Sequence, residues 1–565
     1  MSRRAYHFVS KVELVDDVKR MVLDYLSLSA DLQALCLTSK SWNPLATEYL
    51  YRKIVLDVRA CDGQLALFHR CVDMGARKHL VHTRSLSLLN IPRWESGAIS
   101  PADDPMSEVL RKDFVLQILQ ALPSDKLGEF RYVAQSNESL NANILGLLQE
   151  HQQAIDRLHM SHGSVRQLIY PRMRCVTAGF QGEYEQTHGF VQSALALPVL
   201  ESLSLLFQEG WSKNVHDYWR GGHHVGAFKD QKIVARILML EGCMPEAFGS
   251  ALPQVFDLSR VTKLALLDCK SGLLQHLSSS RELRNLVDFE LRTLEHFDDI
   301  ASENARTLFV RNKSLLHLRL HINGLHSISL DPQDQDPPDT APYLWPLRPT
   351  LKTLSLLDLY REGDNMHFAF PNSYELQHIC SQFSALEQLG LSLYDFNISA
   401  AVVEERHDYL VQCLGPVGKL KNLRILQLYQ DRVSTVRIGR HPSKPRVNIR
   451  KIHQEFATRF FQWAHTQCPL LEVLIWGTCE ENYHFKAQRV AEDEMKGRDT
   501  SYCVVERAPQ ECFVKKVLEL DDGHFQIVAA SVTRSQIRDD FPELHILNYD
   551  TGRYVEGRLA DEAVR

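Results

Sequence analysis

Apolar positions fall into two regimes along this chain. In residues 14–52, Leu14, Val18, Met21, Val22, Tyr25 and Leu26 recur at helical spacing while Asp17, Lys19, Arg20 and Asp24 fill the gaps. That pattern predicts an amphipathic helix. Ser29 is placed to cap a second short helix carrying Leu32, Leu35 and Cys36. A third follows in "SWNPLATEYLYR", where Trp42, Leu45, Ala46, Tyr49 and Leu50 share a stripe. Pro44 falls in its first turn, where a missing N–H is harmless. So short a unit cannot bury all these side chains on itself, and some are expected to face a partner or the domain that follows.

Further on the rhythm changes. A leucine, two residues, an apolar residue, a short gap and L-x-L return in "LPVLESLSLLF" (197–207), "LSRVTKLALLDC" (258–269), "LRNLVDFELRTL" (283–294) and "NKSLLHLRLHI" (312–322). They return again in "RPTLKTLSLLDL" (348–359), "FSALEQLGLSLY" (383–394), "LKNLRILQLYQ" (420–430) and "CPLLEVLIWG" (468–477). The matching apolar position is Leu203, Leu264, Phe289, Leu318, Leu354, Leu389, Leu426 and Leu474. Weaker copies precede them at 82–91, 127–133 and 155–161. Each copy predicts a short strand with inward L-x-L residues. Helical stretches lie between, such as 373–383 and 449–468, the latter with Ile452, Phe456, Phe460 and Trp463 at helical spacing. Repeated stacking of strand, turn and helix predicts an α/β solenoid with its strands on the concave side.

Over roughly residues 80–480 the chain resembles the leucine-rich-repeat family. Its steps of 61, 25, 29, 36, 35, 37 and 48 residues exceed the family's usual 20–29. Loop insertions or degenerate copies account for the excess, and an ordinary parallel α/β sheet with leucine-rich strands is the other architecture open. Residues 481–565 leave the rhythm; "YCVVERAPQECFVKKVLELDDGHFQIVAASV" (502–532) alternates like paired strands and reads as a cap on the solenoid's end. The Pro- and Asp-rich stretch 330–349 reads as an acidic loop on one rim.

Residues 10–55 resemble an F-box. Leu14, Val18, Val22, Leu26, Leu32, Leu35, Leu37, Lys40, Trp42, Leu45 and the closing "LYR" (50–52) match that family's pattern, with Val15 where proline is usual. The whole therefore resembles fungal-type F-box proteins with a leucine-rich-repeat domain: a three-helix F-box followed by an irregular horseshoe. The resemblance implies that the helices dock the Skp adaptor and, through it, a cullin of an SCF ubiquitin ligase, while the repeats hold a protein substrate. The adaptor face would draw on Leu14, Val18, Val22, Leu26, Leu32, Leu35 and Trp42. Such a subunit does no bond chemistry and contributes proximity. The alternative is a repeat scaffold outside any ligase, its front helices only capping the solenoid.

Strand alternation places the residues between the inward leucines on the concave face. Those are Asp288, Glu290 and Arg292 in one strand and His317, Arg319 and His321 in the next, then Gln427 and Tyr429, and Val473 and Ile475. These are the candidate substrate contacts; mutual pairing of the charges across the ladder is the plainer use of them. The aliphatic positions Leu206, Leu267, Leu357, Ile425, Val473 and Ile475 need a cover, such as a bound peptide, the C-terminal tail or an inserted loop.

Composition narrows the function. With 64 Lys and Arg against 70 Asp and Glu there is no basic excess for nucleic acid, and no nucleic-acid partner is expected. No apolar run long enough for a membrane span and no signal segment is read, so a cytoplasmic or nuclear location without membrane attachment is expected. The 12 cysteines never form C-x-x-C, which fits reduced thiols. Nucleophile-elbow, phosphate-loop and H-E-x-x-H motifs do not occur, and neither "RGGHHVGAF" (220–228), "HTQC" (465–468) nor the strand pair His317 and His321 has metal-ligand spacing. No catalysis, metal or cofactor is expected.

Overall fold

Every L-x-L phrase becomes a strand, because alternation puts both leucines on one side of an extended chain. The computed structural model describes residues 15–24, 29–57, 75–90, 115–134, 142–160, 170, 172–180, 194–195, 200–207, 231–242, 246–323, 344–362, 365–369, 373–393, 411–430, 449–477, 511–520, 524–532, 537, 540 and 541. Leu14, Leu26, the stretch 220–228 and residues 330–343 of the acidic loop lie outside them. The chain divides into two compact units, residues 1–175 with 556–565, and residues 176–555.

The first unit opens with α1 (Asp16–Asp24), α2 (Ser29–Thr38) and α3 (Asn43–Arg52), and α3 runs directly into β1 (Lys53–Asp57). Parallel strands β2 (Ser85–Asn90), β3 (Glu129–Ala134) and β4 (Arg157–Met160) follow in sequential register, with α4 (Ala142–His151) before β4. Ile54, Leu86, Phe130 and Leu158 line up across them and are all buried. The three helices thus share a unit with the first strands. Strand β5 (Cys175–Phe180) begins at Cys175, where the chain passes from the first unit to the second.

The second unit is mixed α/β with a long open sheet. Its elements are β6 (Leu200–Phe207), β7 (Ala235–Gly242), α5 (Glu246–Val255), β8 (Lys263–Leu267), α6 (Ser271–Ser279), β9 (Asp288–His296), α7 (Asp299–Arg311) and β10 (His317–Asn323). After them come β11 (Thr353–Glu362), β12 (Asn365–Ala369), α8 (Ser373–Gln382), β13 (Gln388–Leu393), β14 (Ile425–Gln430), α9 (Ile449–Gln467), β15 (Val473–Gly477), β16 (Glu511–Glu519) and β17 (Phe525–Val532). Strands from β6 to β15 pair in parallel, apart from β12, which folds back antiparallel on the end of β11. The β16–β17 hairpin closes the series antiparallel to β15, where paired strands were expected.

One row of side chains records the whole repeat. Leu203, Leu238, Leu264, Phe289, Leu318, Leu354, Leu389, Leu426 and Leu474 are neighbours in register, ending on Phe513, and every one is buried. The sequence phrases identify all of these but Leu238 and Phe513. Strand β7 is a degenerate copy, led by Ile233 and Val234 in place of leucine, and it falls inside the longest step, between Leu203 and Leu264. Gly242 ends β7 at φ +92°, where an added Cβ would lie 2.0 Å from the Phe207 carbonyl oxygen, so only glycine fits that close approach.

Helices cover the leucine side. Phe309 of α7 meets Phe289 edge-on, Phe248 of α5 meets Phe207, and Phe456 of α9 meets Trp476, with ring centroids 6.0, 5.0 and 4.9 Å apart. Buried polar side chains latch successive turns. Asn312 donates to the carbonyls of Leu283 and Leu308 and accepts from the Leu286 N–H, and Gln152 accepts from the N–H groups of Lys126 and Leu127. Cys269 donates its thiol to the Leu240 carbonyl one strand back, and burial pushes that thiol's pKa far up.

Candidate functional site

The three-helix unit has its own small core of Leu23, Leu32, Leu45 and Ala46, with Leu35, Cys36, Trp42, Tyr49 and Leu50 packed around it. The inward stripe of α1 is Lys19 and Leu23, which leaves the apolar stripe of Val18, Met21 and Val22 on the outer side. Lys19 survives burial by bonding Asp16 at 3.2 Å. Arg20 reaches Glu48 of α3 at 3.1 Å, and that hydrogen bond holds the Glu48 carboxyl below its usual range. Val15, Val18, Met21 and Val22 are left outside, at 66, 38, 62 and 41% exposure, and Leu37 of α2 is more exposed still. The opposite side of the unit is occupied: α3 packs on the 3-10 turn Ala76–His82, with Tyr51 and His79 ring centroids 5.3 Å apart. Of the expected adaptor-facing residues, then, Val18 and Val22 lie on the surface, Leu32 is core, and Leu35 and Trp42 pack half-buried against it.

Six of the expected substrate residues share one side of β9 and β10, opposite the leucines. Arg319 joins Asp288 at 2.8 Å and Glu290 at 3.0 Å, and Lys263 reaches Asp288 at 3.5 Å. Arg292 donates to both carboxylate oxygens of Asp268, which sits at φ 55° immediately after β8 and whose backbone N–H donates to the Arg292 carbonyl. His317 bonds the Thr353 hydroxyl at 2.9 Å and His321 the Ser355 hydroxyl at 3.2 Å, each one strand onward. Asp288, Glu290, Arg292, His317, Arg319 and His321 are all buried. Burial, with Arg292 and Arg319 beside it, pushes His321 down to about 3, and burial pulls Lys263 down to about 8. The charges thus pair with one another, and below the surface. Desolvation offsets much of what such a network gains, yet losing one partner costs about 3–5 kcal/mol because a buried charge is stranded.

The aliphatic side found its cover within the chain. Ile425, Val473 and Ile475 lie beneath Cys512 and Ile537, with Val514, Val532 and Phe541 packed around them. Ile475 is fully buried there, so it is no open contact surface. Leu267 clusters with Met239 and Ala265, Leu357 is buried, and Leu206 is half-buried. Gln427 is buried with its Oε1 lacking a partner among the described residues, and Tyr429 stands in register between Ser392 and Gly477. The latching residues Asn312 and Gln152 escaped sequence reading. Their signal is position, each five residues before a strand, where other copies carry leucine, as at Leu258 and Leu283.

Among the described residues, no three His, Cys, Asp or Glu side chains gather as a metal site, and no helix is long and apolar enough to cross a membrane. Comparison of the chain with protein-family models and with curated proteins gives no match.

Proposed function

We propose that this chain is the substrate-receptor subunit of an SCF-type cullin ubiquitin ligase, an F-box leading a leucine-rich-repeat horseshoe. One observation carries the reading: the helical unit has two apolar sides. A cap needs only the side by which α3 meets the turn Ala76–His82 and β1, whereas the outer face of α1 presents Val15, Val18, Met21 and Val22 to solvent beyond a core that is already complete. Leaving that much aliphatic surface exposed on so small a unit is unfavourable unless a partner covers it. The Skp adaptor is that partner in this reading, and the repeats behind hold a target protein near a charged conjugating enzyme. Since the charges of β9 and β10 already satisfy one another, the target is held elsewhere on the repeat domain.

A pull-down of the full chain by the Skp adaptor tests this, beside Val18→Glu with Val22→Glu. Both positions are surface residues, so the double variant should fold as before and lose at least tenfold in retention. Retention unchanged by the double variant, or none by the unmodified chain, would sink the proposal. The second outcome would favour the repeat scaffold, for which the packing of α3 against Ala76–His82 already speaks.

A further inference from the structure

Strands β2, β3 and β4 carry a polar row on the side away from their leucines. Ser87, Arg131 and His159 are consecutive neighbours in register, about 4.8 Å apart per strand. Ser87 and His159 are buried, at 0 and 9% exposure, and neither Ser87 Oγ nor His159 Nε2 has a hydrogen-bond partner among the described residues. Orphaned buried polar atoms each forfeit a hydrogen bond's worth of stability, so two of them flanking one arginine call for an explanation.

Arg131 supplies it. Its Nε and Nη2 are taken by Glu129 at 2.7 and 2.5 Å, and the other Glu129 oxygen accepts from Ser85 at 2.8 Å. Its Nη1 makes no bond among the described residues, and its side chain keeps 26% exposure, so the row is open to solvent at its middle. Burial works to raise Glu129, but Arg131, Ser85 and Arg157 together hold it below its usual range, so it stays ionised and pairs only one of the two arginines.

We propose that Ser87, Arg131 and His159 form a binding site for a small oxyanion, a phosphoryl or carboxylate group entering beside Arg131. The Ser87 hydroxyl, the Arg131 Nη1–H and the His159 Nε2–H would all donate to its oxygens, which satisfies both orphaned atoms at once. His159 is suited to this as a neutral donor, since burial, with Arg131 adding, pushes it to about 3. A cation finds only donors at the Arg131 Nη1 position, since both Glu129 oxygens are already engaged. The site is independent of what the helical unit docks.

The full chain is titrated with sodium phosphate, and in a second arm with sodium acetate, at constant ionic strength while the thermal midpoint is followed. A midpoint that rises and saturates with either anion supports the site and tells a phosphoryl group from a carboxylate. Ser87→Ala should weaken the apparent affinity about tenfold, as expected for one charge-assisted hydrogen bond, yet melt no lower than the unmodified chain without anion, because the deleted hydroxyl had no partner. Arg131→Met should abolish saturation, and Arg131→Lys serves if that variant fails to fold. A phosphate response that the arginine variant keeps would be general salt stabilisation and would overturn the proposal. So would the lack of any response, which would assign both atoms to ordered water.

Discussion

At the scale of single residues, burial decides the chemistry. His321 and Arg319 look from sequence like a basic recognition pair, yet both are buried, and what they meet is Ser355, Asp288 and Glu290. A histidine held neutral makes stability depend on pH. Its folded value of about 3 lies below the unfolded 6.5, so the unfolded chain binds the proton more readily. The stability it contributes is therefore complete above pH 6.5 and drains away as pH falls toward 3, at about 1.4 kcal/mol per pH unit once fully below the unfolded value. His321→Gln, which keeps a partner for Ser355, should show a shallower fall in urea midpoint between pH 6.5 and 4. Identical slopes for variant and unmodified chain would mean that His321 charges freely in the folded state.

Among elements, the strands were legible and their fastenings were not. Leucine spacing marks a strand because two inward residues at i and i+2 are all the sheet asks of it. A latch such as Asn312 is a single polar residue in a turn, and only the fold shows that its amide closes three backbone bonds, two within its own turn and the preceding one and one to Leu286. Asn312→Ala should leave those buried groups unpaired and cost about 2–4 kcal/mol in chemical denaturation. Loss of less than about 0.5 kcal/mol would show that water reaches the turn. The helix α9 plays a related part at the far end: Gln454, Thr458 and Gln462, one turn apart, bond the backbone of β17 at Ala529 and Ile527. That shields an edge strand which would otherwise invite pairing with another chain.

For the molecule as a whole, the repeat ends by covering itself. Ile537 is buried against the aliphatic wall of β14 and β15, and Phe541 packs beside it. Ile537→Asp should expose Ile425, Val473 and Ile475, raising binding of an apolar dye and lowering the thermal midpoint of the repeat unit; an unchanged dye signal would show that another segment supplies the cover. Sequence alone determined the repeating strand, the helices between, the terminal hairpin and the three front helices, because each rests on a period that local geometry imposes on the chain. The tertiary structure decided which side of each element is open. Whether Val22 or Leu23 faces inward, and whether Arg319 meets solvent or Asp288, depends on what packs from elsewhere in the chain, and no local period carries that information.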